Sequence, residues 1–209
     1  MAAKLWLTTR RMRGIAYVSA RRYWFPKKYA DFVQRLRVPC GFLLLITFAW
    51  LSRPSVPSLG MGLPISVLGL LLRGWATGHL AKDQRLATSG PYAFIRNPLY
   101  AGTLIVAAGI VIASRDAGLA IIFATVFLLV YLPTIELEEQ HLRTKFASYA
   151  EYAERVPRLI PSRHWAAERS RFSSALYLRN QEYKALIGFA VAVVWLIIKL
   201  RYPAVIRFR

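Results

Sequence analysis

With 209 residues, 56% hydrophobic content and a mean hydropathy of +0.36, the chain is too apolar for an ordinary soluble domain, which needs a charged and polar coat. A net charge of +19 would suit a nucleic-acid binder. However, the basic residues lie mostly outside the apolar runs, and no zinc, helix-turn-helix or RNA-binding signature accompanies them, so anionic headgroups and topology account for the charge. Cys40 is the only cysteine, which excludes an intramolecular disulfide and a cysteine-rich metal site.

Residues 1–37 carry Lys4, Arg10, Arg11, Arg13, Arg21, Arg22, Lys27, Lys28, Arg35 and Arg37 against a single acid, Asp31. Interleaved Leu5, Trp6, Leu7, Ile15, Tyr17, Tyr23, Trp24 and Phe25 make the segment amphipathic, as in a helix lying on a membrane surface. A mitochondrial presequence has the same composition, and that reading stays open; a secretory pattern is missing. Five apolar stretches follow, at roughly 38–52, 59–78, 98–114, 117–135 and 183–200, each approaching the ~20 residues that cross a bilayer. The first opens on Val38-Pro39 and should start inside the interfacial zone. Arg73, near the end of the second, must snorkel or face protein interior. Ser114-Arg115-Asp116-Ala117 is so short that the third and fourth helices should form an antiparallel hairpin.

The expected fold is therefore all-α and polytopic, with about five transmembrane helices, an amphipathic N-terminal helix and a cytoplasmic helical segment. It divides into a basic segment 1–37, a membrane core 38–165, and a linker with a terminal helix at 166–209. The basic N-terminus should face the cytoplasm, which places 79–97 and 136–182 there as well. Five crossings then leave Lys199, Arg201, Arg207 and Arg209 outside, in conflict with the charge rule. A re-entrant last helix, or dominance of the earlier charges, reconciles the two. A bacterial cytoplasmic membrane is the expected location, with a eukaryotic organelle membrane as the alternative.

Two blocks carry candidate chemistry. The first runs from Arg73 to Gly102. Ser89-Gly90-Pro91 is a turn, with glycine free to take positive φ. Asn97-Pro98 reads as a helix start, asparagine accepting from orphan amides and proline occupying the first helical position. A helix N-terminus offers amides and positive potential to an anionic group. On local grounds these features equally describe a capped membrane helix, with His79 as a local hydrogen-bonding residue, Lys82 as a snorkelling cation and Tyr92 and Tyr100 as aromatic-belt residues. The second block runs from Glu136 to Pro161. Glu136, Glu138 and Glu139 leave an apolar helix together, which is costly unless they are solvated or paired. Glu139 and Arg143, four apart, can pair along the helix.

No other site competes. The sequence has no nucleophile elbow, Walker loop, His-Glu-x-x-His pattern or Rossmann glycine turn, and histidines scattered at 79, 141 and 164 do not suggest a metal centre.

Together the blocks resemble the isoprenylcysteine carboxyl methyltransferase family and its phospholipid N-methyltransferase relatives. The resemblance rests on Gly78-His79-Leu80-x-Lys82, then Ser89-Gly90-Pro91-Tyr92-x3-Arg96-Asn97-Pro98-x-Tyr100-x-Gly102. It continues through Glu138-Glu139-x2-Leu142-x3-Phe146-x2-Tyr149-x2-Tyr152 and ends at Val156-Pro157-Arg158. Ala147 stands where the family often has glycine, and Asn97 where many isoprenylcysteine enzymes have histidine, whereas Arg-Asn-Pro occurs among bacterial and phospholipid-type relatives.

The resemblance implies a helical membrane fold that binds S-adenosylmethionine on the cytoplasmic side and takes a lipophilic or prenylated acceptor from the bilayer. It assigns His79, Leu80, Lys82, Gly90, Pro91, Tyr92, Arg96, Asn97, Pro98, Tyr100 and Glu138 to the cofactor side, and Glu139 and Arg143 to the reacting end. A carboxylate acceptor, already ionised, needs no base and can be oriented by Arg143; an amine must lose a proton, for which Glu139 is the candidate base. An isoprenylcysteine-like carboxylate is the leading acceptor and a phospholipid amine the alternative. An NADPH-dependent isoprenoid or sterol reductase, or a lipid-binding protein without turnover, are the competing classes.

Overall fold

The computed structural model describes residues 25–161 and 170–202. Residues 1–24, which hold most of the basic amphipathic segment, and the 165/166 boundary lie outside the described residues. Among the described residues the regular structure is all helical, with no strand. Its elements are α1 (Lys27–Leu51), α2 (Val56–Thr77), α3 (Pro98–Ser114), α4 (Ala117–Lys145), α5 (Tyr149–Arg155), α6 (Ser174–Arg179) and α7 (Tyr183–Arg201). A single 3₁₀ turn, Gly90–Ala93, stands in the loop between α2 and α3.

Among the described residues, α1, α2, α4 and α7 are long and apolar enough to cross a membrane, and α3 is a shorter apolar helix of 17 residues. The protein is an integral membrane protein. Its outer surface is what lipid requires: Phe42, Leu45, Ile46 and Trp50 on α1 and Leu186, Val191 and Val194 on α7 are exposed. The helix that carries the first apolar stretch begins at Lys27 and runs through Pro39, so the end of the basic segment and the apolar run form one continuous helix.

The centre of the bundle is the α2–α3 pair. Lipid tails are as apolar as leucine, so membrane helices associate through close packing and hydrogen bonds rather than by escaping water. Small residues repeat along both contact faces, Gly62, Ser66 and Gly69 on α2 and Gly102, Gly109 and Ala113 on α3. A Cβ added to Gly69 would lie 2.6 Å from the Val106 nitrogen and 2.7 Å from the Gly102 carbonyl, while one on Gly62 would overlap the Gly109 carbonyl. Between these glycines Ser66 donates to the Val106 carbonyl at 3.0 Å, and one turn before Gly62 Ser58 donates to that of Ala113 at 2.9 Å.

The expected hairpin is present. Arg115 takes a left-handed φ of 52° after α3, and Asp116 caps α4 by accepting from the Leu119 amide at 3.0 Å. Within α4, Phe127–Tyr131 form a π-turn just before Pro133. Proline cannot donate to the carbonyl four residues back. That carbonyl, Leu129, accepts instead from the Tyr29 hydroxyl of α1 at 2.7 Å.

α7 runs the length of the bundle and is fastened at both ends. Its capping residue Glu182 bonds to Arg73 near the end of α2. At the far end the Lys199 ammonium donates to the Ala49 and Trp50 carbonyls at 2.9 and 2.8 Å, and the Trp195 indole to that of Ala49 at 3.2 Å. The helix thus reaches from the end of α2 to the end of α1, with Lys199 at the carbonyl end of α1, where a cation is favoured.

Gly109→Leu should lower the thermal midpoint in detergent, overpacking costing about 1–3 kcal/mol. Gly60→Ala, where an added Cβ meets nothing within 4 Å, should leave it unchanged or raise it. Equal midpoints for the two variants would remove the glycine contact as the basis of the bundle.

Candidate functional site

The two motif blocks meet at Glu139, on the last turns of α4. A carboxylate at the end of a membrane helix is tolerable only if paired, and Glu139 is 2% exposed. One oxygen accepts from the Asn97 amide at 2.9 Å and the other from the Arg158 guanidinium at 2.9 Å, with Arg96 Nε at 3.6 Å. The backbone continues the junction: the Arg96 amide donates to the Pro157 carbonyl at 2.8 Å and the Asn97 amide to that of Arg158 at 3.2 Å. Residues 156–158 therefore lie as a strap across the start of α3.

Asn97 precedes the helix as expected, with Pro98 at its first position, but its side chain makes no cap bond. The amide is committed to Glu139 instead. Nor does Glu139 pair with Arg143. Arg143 is exposed and lies over the Tyr149 ring, 5.3 Å from its centroid. Tyr149 is buried, and burial, reinforced by the negative charge of Glu139, pushes its hydroxyl up to about 12, so it stays protonated at neutral pH. Two buried donors make no standard hydrogen bond here, the Tyr149 hydroxyl and Arg96 Nε, the latter in its longer ion pair with Glu139. Such groups are rare in folded proteins and call for an explanation, of which a further bound group is one.

Beside them opens a cavity of about 440 Å³, lined by Arg96 and Arg158 together with apolar Phe25, Leu132 and Leu159. Glu138, next along α4, accepts from the Tyr100 hydroxyl at 2.9 Å and lies 3.5 Å from Arg37 of α1. Glu136 accepts from the Phe25 amide at 3.2 Å.

The remaining cofactor-side candidates gather at the end of α2. His79 is buried, its Nδ1 3.1 Å from the Ser89 hydroxyl and 3.2 Å from that of Ser170. Gly90 has φ +59°, and a Cβ there would come within 2.6 Å of the His79 ring, so only glycine fits this turn. Pro91 and Tyr92 are buried behind it, and Tyr152 donates to the Tyr92 carbonyl at 2.7 Å. Leu80 packs on the cluster of Ala76, Ala87 and Tyr92. Lys82 does not join either group; it is exposed on the loop. Its neighbour Asp83 reaches Lys145 at 2.7 Å and ties that loop to the end of α4.

Sequence reasoning assigned no role to Arg158, Tyr149, Ser89, Arg37 or Ser170. Arg158 and Tyr149 stood inside the motif, so their position was a signal. Arg37 and Ser170 reach the site only through tertiary packing. Among the described residues, no group of three or more His, Cys, Asp or Glu is placed to hold a metal.

This is a helical integral membrane protein whose polar site, at one end of the bundle, joins buried charge to an apolar-walled cavity. Residues 36–149 match the family model of phospholipid methyltransferases, and the chain belongs to that family. A cobalt-zinc-cadmium resistance protein of Cupriavidus metallidurans is 33% identical over 115 residues, 54% of this chain and 51% of that one. A nickel-cobalt-cadmium resistance protein of Alcaligenes xylosoxydans xylosoxydans is 29% identical over 114 residues, 54% of this chain and 52% of that one. The protein-S-isoprenylcysteine O-methyltransferase of Schizosaccharomyces pombe is 28% identical over 141 residues, 65% of this chain and 59% of the other. The chain thus spans between half and three fifths of the length of these curated relatives. No solved structure matches it significantly.

Burial holds the His79 imidazole below its ordinary value of 6.5, and nearby Arg85 adds to the effect. The unfolded chain then binds the proton more readily, so this stability is complete above pH 6.5 and is lost as pH falls from there toward the depressed folded value. The thermal midpoint should therefore fall between about pH 7.5 and 5.5, and fall less in His79→Gln. Parallel losses in the two proteins would show that His79 does not contribute.

Proposed function

We propose that the protein transfers a methyl group from S-adenosylmethionine to a lipophilic acceptor at the membrane–cytoplasm interface, the acceptor presenting a carboxylate as in an isoprenylcysteine-like compound. Family membership supports methyl transfer. One observation supports the acceptor class: the cavity sets the guanidiniums of Arg96 and Arg158 among Phe25, Leu132 and Leu159. Paired guanidiniums in apolar walls suit an anion on a greasy tail, and planar guanidinium matches carboxylate geometry.

The cofactor, when bound, supplies an electrophilic methyl on a cationic sulfonium. The chain offers what such a molecule needs. Arg96 Nε and the Tyr149 hydroxyl, which make no standard hydrogen bond of their own, are donors for an anionic group. Glu138 and the Tyr100 ring offer negative charge and an aromatic face to a cation. His79, Gly90, Pro91 and Tyr92, packed together at the end of α2, are assigned to the rest of the cofactor. Methyl transfer to an ionised carboxylate is a displacement in which alignment and exclusion of water do most of the work. Both oxygens of Glu139 are engaged by Asn97 and Arg158. Glu139 therefore acts by holding the Arg96-Asn97 and Arg158 segments in register at the reacting end. Arg143, exposed and lying over the Tyr149 ring, is assigned to attracting the anion from solution. With the N-terminal and loop lysines and arginines facing the cytoplasm, the site opens on that side.

Purified protein should bind S-adenosylmethionine and not NADPH, and Arg96→Ala should weaken binding roughly tenfold or more, as loss of a charged hydrogen bond does. It should methylate an S-prenylated cysteine analogue with a free carboxylate in preference to phosphatidylethanolamine vesicles. Preference for the vesicles would shift the acceptor to a phospholipid amine. Folded protein that ignores S-adenosylmethionine would favour the reductase or non-catalytic readings.

A further inference from the structure

The terminal helix and the segment before it lie beyond residues 36–149, the region that defines the family, yet they are bound into the site by polar contacts. Ser170 meets the His79–Ser89 pair, its hydroxyl 2.7 Å from that of Ser89. Phe172 lies on Gly78, where any side chain would collide with its ring, and the Ser173 amide donates to the Gly78 carbonyl at 3.0 Å. Asn180 donates to the Thr77 and Leu80 carbonyls at 3.0 and 2.9 Å, closing the end of α2.

Glu182 goes deepest. It is buried, and both of its oxygens are taken by Arg73, at 2.6 Å from Nε and 3.0 Å from Nη2. The remaining nitrogen of Arg73 donates to the Leu99 carbonyl at 3.3 Å and the Thr103 hydroxyl at 2.5 Å. Gly102 lies directly against the Arg73 side chain, with room for nothing larger. Leu99, Gly102 and Thr103 surround Tyr100 on the first two turns of α3. The same turns carry Asn97 to Glu139 and Tyr100 to Glu138.

A single guanidinium thus grips the start of α3 on one side and Glu182 on the other. Without Glu182, Arg73 would be a largely covered cation held only by the Leu99 carbonyl and Thr103 hydroxyl, a costly state that it would leave by turning toward solvent or another carboxylate. Either movement releases Leu99 and Thr103.

We infer that Glu182 is a positioning residue of the active site: through Arg73 it fixes the first turns of α3, and with them Tyr100 against Glu138 on the cofactor side, which makes the C-terminal segment a working part of the enzyme. This rests on the methyltransferase reading for its kinetic consequence but not for its structural one. Glu182→Gln, which keeps the shape and removes the charge, should raise KM for S-adenosylmethionine roughly tenfold, the size of effect that small misplacements produce. KM for the acceptor, which binds by Arg96 and Arg158, should not change. Amide exchange across 99–105 should accelerate, and the thermal midpoint should fall, because the Arg73 cation loses its counter-charge. Glu182→Asp should recover most of the affinity.

A loss of kcat alone, with KM unmoved, would mean that Glu182 only supports the amount of folded protein, and it would overturn the inference. Unchanged exchange across 99–105 would overturn it too, whatever the kinetics. If Glu182→Gln does not fold, Arg73→Lys, which retains the cation and loses the two-pronged grip, is expected to show the same split. A wild-type protein without methyl transfer would refute the proposed activity, and the exchange comparison would then decide the role of Glu182 by itself.

Discussion

A carboxylate that cannot reach water sets the terms for this protein. Glu139 sits at the end of a membrane helix with its charge turned inward, and a buried charge persists only where its partners are fixed. The partners are drawn from two distant stretches of chain, Arg96 and Asn97 before α3 and Arg158 after α5. Meeting that demand determines much else. The strap of residues 156–158 must lie across the start of α3, and α3 must begin at a fixed height, which its packing against α2 supplies. The π-turn before Pro133 shifts the phase of everything that follows on α4, and Glu136 and Glu139 both emerge on the buried side of the helix. Removing the carboxylate would leave the cations of Arg96 and Arg158 without their shared counter-charge.

Much of this was legible in the residues. The apolar runs gave the helices, the short Ser114-Arg115-Asp116 link gave the hairpin, and order and spacing of the motif blocks gave the residues that meet. What could not be read was partnership. Four-residue spacing suggests Glu139 with Arg143, but a helix pair on the surface is worth only a few tenths of a kcal/mol, about 0.3–0.5. A buried carboxylate takes stronger donors when tertiary structure delivers them, and Asn97 is drawn from capping for the same reason. The full extent of α1 was not legible, since the apolar run marks only its later part and a proline is a common place for a helix to stop. Pro39 is instead tolerated inside a helix that continues from Lys27 to Leu51.

The contact between α2 and α3 was visible only in fragments. Gly102 stood out for its place in the motif, whereas Gly62, Ser66, Gly69 and Gly109 are unremarkable until two helices are laid side by side. The same holds for the C-terminal segment. By composition α7 is one more apolar helix, and nothing in its sequence says that the glutamate before it will find Arg73. Charges near helix ends acquire meaning from what faces them across the bundle. That is also how Lys199, an apparent breach of the topology rule, comes to rest on the carbonyls of Ala49 and Trp50.

The length of α3 has a consequence for the membrane itself. At 17 residues it rises about 26 Å, against ~30 Å for a typical hydrocarbon layer. Its far end is tied by the hairpin and its near end by Asn97, so it can neither tilt freely nor slide to hide the difference. A mismatch of that size costs only fractions of a kcal/mol per Å, and with tilt and sliding restrained it falls on the lipid or is covered by the longer α2 packed beside it. Pairing a short helix with a long one thus lets the central contact keep its register without asking every helix to match the bilayer.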